Sequence, residues 1–100
     1  MVVIRYTWQY QPTRFEKARR LVTEASLPES NALLAWRAYA SRTGASNTVA
    51  LEWEFESLAK WEEFSAQFFA LPENAEYFRR WLEVEPSSAT CEVWDVIATS

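Results

Sequence analysis

One hundred residues and 11.7 kDa suit one domain of ordinary size, residues 1–100, and leave too little chain for two. Hydrophobic residues make up 49% of the chain and aromatic residues 16%, which excludes intrinsic disorder and supplies large side chains for a core. The net charge of −4 repels phosphate backbones and argues against nucleic acid as a partner, while one Gly, one Cys and no His leave no material for a nucleotide-binding glycine loop, a zinc finger or a His-dependent triad.

The chain opens with strict alternation. Val2, Ile4, Tyr6, Trp8 and Tyr10 fall on one side of residues 2–10 and Val3, Arg5, Thr7 and Gln9 on the other, the period of a pleated strand. Thr13 and Glu16 have capping-box spacing, and Phe15, Ala18, Leu21, Val22 and Ala25 recur at helical intervals, so a helix is expected over residues 14–26. It should end before Pro28. Leu34, Trp36, Ala38 and Ala40 then alternate with Ala35, Arg37, Tyr39 and Ser41 in a second strand. A turn at residues 43–47 follows, with Gly44 placed for a positive backbone angle. Val49, Leu51, Trp53 and Phe55 alternate with Ala50, Glu52, Glu54 and Glu56 in a third strand, which predicts a hairpin with the second. Ser57 is placed to cap a helix whose apolar residues Leu58, Trp61, Phe64, Phe68 and Leu71 keep near-helical spacing. Pro72 should break or restart it, with a second segment through Ala75, Phe78, Trp81 and Leu82. After a loop at 86–90, residues 91–97 are rich enough in Val, Ile and Trp for a last strand.

No export signal is expected of the first residues, because Arg5 interrupts them after three apolar positions. No run approaches the roughly 20 apolar residues of a membrane span, and a lone Cys91 forms no internal disulfide. A cytoplasmic setting without membrane contact is therefore expected.

The element order β, α, β, β, α, β is the split arrangement of ferredoxin-like α+β folds: a four-stranded antiparallel sheet, strand order four-one-three-two, with helices on one face. The covered face would carry Val2, Ile4, Val49, Leu51, Trp53 and Phe55. The opposite face would carry Val3, Arg5, Thr7, Ala35, Arg37, Tyr39, Ala50, Glu52, Glu54, Glu92, Trp94 and Val96. That mixture is too polar for a core and too rich in Trp, Tyr, Val and Ala for an ordinary wet surface. With no chain left to build a second layer, a second copy across a twofold axis is expected to cover it.

The stretch GASNTVALEWEFESLAKWEEF, residues 44–64, resembles the hairpin, strand and helix start of the dimeric α+β barrel superfamily, in particular its NIPSNAP-like members. In element order the likeness extends over the whole chain. Relatives in that superfamily include cofactor-free monooxygenases of antibiotic biosynthesis, haem-degrading enzymes, chlorite dismutases, dye-decolourising peroxidases and muconolactone isomerases, so the resemblance implies a fold and no single reaction. Its haem peroxidase and dismutase members ligate iron through a His, which this sequence lacks. No cofactor is expected, and no catalytic motif of the monooxygenases is matched residue by residue.

In the expected sheet order Arg5 has Glu52 or Glu54 on one side and Glu92 on the other, with Arg37 beside the same glutamates on the edge strand. Such a cluster can bind a polar substrate, hold Glu52, Glu54 or Glu92 as a catalytic base with Arg5 or Arg37 facing an oxyanion, or satisfy itself as a structural ion-pair network. Tyr39 and Trp94 offer flat surfaces to an aromatic ligand, or pack at an interface. Trp61, Phe64, Phe68, Phe78 and Trp81 have the spacing of a helix face packed on a sheet, and Phe69 falls off that stripe. Arg19-Arg20 and Arg79-Arg80 read as solvated helix faces, and Cys91 as an apolar filler within a strand. The expected function is that of a small-molecule-binding homodimer with its pocket between sheet and helices. The alternatives are a cofactor-independent monooxygenase or isomerase acting on a small aromatic or polyketide-like molecule, and a structural or regulatory dimer.

Overall fold

The computed structural model describes residues 1–44 and 46–100, so Ala45, inside the turn expected at 43–47, lies outside the described residues. The chain runs β1 (Val2–Gln9), α1 (Pro12–Leu21), β2 (Leu33–Ala40), β3 (Thr48–Phe55), α2 (Leu58–Ala70), a 3-10 turn (Pro72–Asn74), α3 (Ala75–Glu83) and β4 (Ser88–Asp95). All strand pairings are antiparallel and the order is β2-β3-β1-β4, the arrangement expected from the sequence. Helices lie on one face, giving an α+β, ferredoxin-like architecture.

The alternating residues of β1 and β3 place their apolar set beneath the helices. Ile4, Val49 and Phe55 are fully buried, Val2, Leu51 and Trp53 nearly so, and Phe64 and Phe68 of α2 pack on them. Trp53 meets Phe64 and Phe68 edge-on at 5.0 and 5.1 Å, an arrangement in which ring edges approach ring faces. Ser57 caps α2 as expected, its hydroxyl accepting from the Lys60 N–H at 3.3 Å. Pro72 ends α2 and opens the 3-10 turn, so the helix restarts as α3.

The boundaries depart from expectation where tertiary contacts decide them. Helix α1 begins at Pro12 with Gln11 as its N-cap and no side-chain cap, so the Thr13 and Glu16 capping box does not form. Proline suits the first helical position, where its fixed φ is already helical and its missing N–H would have had no partner. The helix ends at Leu21 rather than near residue 26, and Asn74 holds the segment beyond it at Ser26. Its Oδ1 accepts from the Ser26 N–H and its Nδ2 donates to the Ser26 carbonyl, both at 2.8 Å, so neither backbone group of Ser26 is free for a helical ladder. Strand β2 has an irregularity between Leu33 and Ala35, which leaves Leu34 out of the pairing. Strand β4 starts at Ser88, three residues before the expected position, because it pairs along the whole of β1 from Gln9 to Val2. It ends at Asp95, leaving Val96 beyond the strand and Ile97 almost wholly exposed.

The helices leave part of the sheet open. Helix α2 packs on β2 and β3, α1 on β3, and α3 on α1. All eight residues of β4 are exposed, including Cys91, which is therefore not the buried filler expected. Among the described residues no helix is long and apolar enough to cross a membrane.

Candidate functional site

The register brings the candidate residues from sequence together on the sheet face away from the helices. Arg5 of β1 sits opposite Glu52 of β3 and Glu92 of β4, Arg37 of β2 sits opposite Glu52, and Trp94 sits opposite Val3. Four of the seven make direct contacts that cross all four strands. The Tyr39 hydroxyl donates to Glu52 Oε1 at 2.9 Å, Arg5 Nε donates to Glu52 Oε2 at 2.7 Å, and the Arg5 guanidinium lies over the Trp94 ring, 5.7 Å from its centroid. Both oxygens of Glu52 are thus engaged, the geometry of a held carboxylate. Arg37, Glu54 and Glu92 form no ion pair among the described residues.

Arg37 and Glu54, with Tyr39 and Glu52, line a hollow of about 210 Å³ on this face, walled further by Val3, Ala35 and Trp36. Glu92 and Trp94 lie outside it, at the β4 edge. The cluster is shallower than expected for an enclosed site: the Arg5 side chain is 43% exposed and that of Glu52 18%.

A second cavity, of about 260 Å³, opens on the helix side. Its floor is Tyr6 and Trp8 of β1 with Leu51 and Trp53 of β3, and Tyr10 closes one end. The opposing wall comes from the two arms of the broken helix, Phe68 and Phe69 of α2 and Tyr77, Phe78, Trp81 and Leu82 of α3. Trp8 stacks on Trp81 at 5.3 Å and Phe69 on Phe78 at 5.3 Å, while the 66% exposed Phe69 and 77% exposed Leu82 stand at the mouth. No charged residue contributes to the lining. The stripe expected to be plain core is therefore divided: Phe64 and Phe68 are buried, whereas Trp61, Phe78 and Trp81 are only partly so, and the last two form cleft wall.

Sequence reasoning expected a pocket between sheet and helices but missed its lining, because it assigned these aromatics to packing. The signal available was three tyrosines, Tyr6, Tyr10 and Tyr77, at core-facing positions, since a buried phenol needs a partner or a route to water. Burial pushes all three hydroxyls above the ordinary phenol range. For Tyr6 the nearby Trp61 indole N–H opposes the rise and Cys91 adds to it. For Tyr10, Tyr77 adds to it. For Tyr77 the Trp81 indole opposes it and Glu24 adds to it. All three are neutral hydroxyls at physiological pH.

This fold is a ferredoxin-like α+β arrangement of the kind seen in NIPSNAP-family proteins and antibiotic-biosynthesis-monooxygenase-like proteins. Protein Atu4242 from Agrobacterium tumefaciens superimposes with a TM-score of 0.74 at 18% identity, covering 95% of this chain and 92% of that one. A NIPSNAP family protein from A. tumefaciens strain C58 gives 0.73 at 16% identity over 93% and 90%. A candidate antibiotic biosynthesis monooxygenase from Deinococcus radiodurans gives 0.68 at 10% identity over 100% and 96%. No family model and no curated protein matches the chain. At these identities the likeness is one of fold.

Proposed function

We propose that this chain binds a neutral, largely aromatic small molecule in the cleft between sheet and helices, and works as a homodimer whose copies cover each other's outer sheet faces. The observation that carries the binding reading is the cleft itself: about 260 Å³, walled by aromatic rings, uncharged, and open at a mouth bearing exposed Phe69 and Leu82. Apolar walls with a few polar groups are the usual construction of small-molecule sites. The dimer is supported by the uncovered β4 and by the half-exposed Tyr39 and Trp94 on the outer face, large aromatics of the sort that anchor interfaces.

Six Trp residues provide the test. Trp8, Trp53 and Trp81 line the cleft, whereas Trp36 lines the outer hollow and Trp94 lies on the outer face. Titration with a two-ring aromatic such as tetralin, followed through the indole N–H signals, is expected to move the first three and leave Trp36 and Trp94 in place. Movement of Trp36 alone, or of none, rejects the cleft as the site.

One observation favours a second, enzymatic reading as a cofactor-independent monooxygenase or isomerase. The outer hollow brings an unpaired carboxylate, Glu54, beside an unpaired guanidinium, Arg37, an arrangement that suits proton removal with oxyanion stabilisation. Glu54 is the better base of the three glutamates, because Glu52 is already engaged by Arg5 and Tyr39 and Glu92 lies outside the hollow. Oxygen uptake with a polyphenol and no added cofactor, abolished by Glu54→Gln, would support it. Uptake indifferent to that change would reject the role.

A further inference from the structure

The geometry points to a twofold axis that runs along the strand direction, setting Arg37 of each copy against the partner's Glu92 and roofing the outer hollow with the partner's Trp94. The pairing rests on the reading of the chain as a homodimer through its outer sheet face.

Strand register lays four charged residues in one row across that face. Arg37 of β2 is opposite Glu52 of β3, Glu52 is opposite Arg5 of β1, and Arg5 is opposite Glu92 of β4. The signs therefore alternate from one edge of the sheet to the other. Within the row Arg5 and Glu52 are joined as an ion pair, whereas the two ends, Arg37 and Glu92, are exposed and form no ion pair among the described residues. A free cation at one edge and a free anion at the other make a self-complementary surface, because a twofold contact repeats each pairing in both senses.

A twofold axis that keeps two facing sheets aligned runs either across the strands or along them. Across the strands it holds each strand over its own copy, so where the row meets its image Arg37 faces Arg37 and Glu92 faces Glu92, and like charges set against each other across an interface are penalised. Along the strands it reverses their order, β2 over β4 and β3 over β1, and the row meets its image with every sign opposed. Aligned sheets lie about 10 Å apart and cross at about 30°, a gap that an arginine and a glutamate reaching toward each other span. The neighbouring row reads Ala35, Glu54, Val3, Trp94 from β2 to β4. Reversed over itself, it brings the partner's Trp94 above Ala35 and the partner's Val3 above Glu54, and both Ala35 and Glu54 are walls of the hollow. The hollow is thus incomplete in one chain and closed by an aromatic ring from the other. Glu54 is then the one charged residue of the two rows without a counter-ion, while the five N–H donors of Arg37 are enough to hold the partner's Glu92 and still face an oxygen inside the chamber.

Charge reversal tests the pairing, with Arg37→Glu, Glu92→Arg and the double variant compared with the unmodified chain by sedimentation equilibrium at low ionic strength. Both positions are exposed, so the variants keep the fold. Each single reversal turns two attractive pairs into two repulsive ones and is expected to raise the dimer dissociation constant roughly ten- to hundredfold, while the double reversal opposes the signs again and returns it to within about threefold of the unmodified value. Glu92→Arg is the decisive member. It makes an acidic chain less acidic, so a general charge effect tightens the dimer and a lost pairing loosens it. In a dimer of one isotope-labelled and one unlabelled copy, intermolecular NOEs are expected between the Trp94 ring and the Ala35 methyl group. A Glu92→Arg dimer as tight as the unmodified one, a double reversal no tighter than the single ones, or Trp94 in contact with the partner's Trp94 instead of Ala35 overturns the axis and leaves the homodimer standing. An unmodified chain that stays monomeric at millimolar concentration overturns the homodimer and the pairing together.

Discussion

Asn74 is fully buried, and it is the polar residue of the described core, its side-chain amide making three hydrogen bonds. Besides its two bonds to Ser26, its Nδ2 donates to the Phe68 carbonyl at 3.3 Å near the C-terminus of α2. One amide thus ties the segment after α1 to the helix break, and the Arg80 to Glu24 ion pair adds a second, solvent-side tie between that segment and α3. Replacing Asn74 by Ala removes all three of these bonds, although the exposed Ser26 can take water in their place. Asn74→Ala is expected to lower stability by about 1–4 kcal/mol, since each lost hydrogen bond is worth about 0.5–1.5 kcal/mol net, measured by urea denaturation. Limited proteolysis of the same variant should cut first between residues 22 and 32. None of this was legible in the sequence. Ser26 and Asn74 are separated by 48 positions, and nothing in either neighbourhood marks them as partners.

At the level of elements, local pattern was reliable wherever burial enforces a period. The alternation in β1 and β3 is dictated by a sheet covered on one side, so their facing and pairing could be read directly. Ends were less legible, because pairing partners and long-range hydrogen bonds set them: the capping box at Thr13 failed against Pro12, and β4 took its start from β1. The facing of β4 was nevertheless correct, with Glu92 and Trp94 on the side of Arg5. The β2–β3 connection makes a sharp case of local coding. Gly44 has φ +88°, in the left-handed region, and a Cβ added there would meet nothing within 4 Å. Any cost of Gly44→Ala is therefore conformational alone, about 1–2 kcal/mol, and should show as a lower urea midpoint with an unchanged denaturant slope. A loss much larger than this would mean that the turn makes contacts beyond its own backbone.

For the molecule as a whole, the outer face is where sequence reasoning located chemistry, and it is the face that the proposed dimer would cover. The seven candidate residues do share that face, because strand register follows from the hydrophobic pattern. A pocket between sheet and helices was expected, but its aromatic lining escaped notice because a wall and a core use the same residue types, and the placing of α3 on α1 separates them. The Arg5 to Glu52 pair reports on how the face is covered. With Arg5 43% exposed, the pair in an open chain is worth about 0–1 kcal/mol. Enclosed between two sheets, removal of Arg5 would leave a buried uncompensated carboxylate at a cost of about 3–5 kcal/mol. If the proposed dimer covers this face, Arg5→Ala is expected to lose much more stability at high protein concentration, where that dimer would form, than under dilution. The comparison is made from urea midpoints at two concentrations alongside sedimentation equilibrium. The same small loss at both, with a monomeric sedimentation profile, would reject the covered face.

The buried tyrosines make a separate statement about stability at high pH. Tyr10, 3% exposed, has a folded-state pKa raised above the ordinary phenol value of 10.0, because burial disfavours the phenolate. Below that ordinary value both states hold the proton and the group adds no pH dependence. Above it the unfolded chain releases its proton while the folded chain keeps it, so the folded state binds more protons and stability falls as pH rises, by up to about 1.4 kcal/mol per pH unit for one fully protected group. Tyr6 and Tyr77 are raised in the same direction and steepen the fall. Stability is therefore expected to be flat from near neutrality to about pH 9 and to drop progressively from pH 10 upward, as measured by urea midpoints across that range. Tyr10→Phe should make the decline shallower while leaving the midpoint at pH 7 no lower. An unchanged alkaline slope in that variant would show that the Tyr10 hydroxyl reaches water in the folded chain.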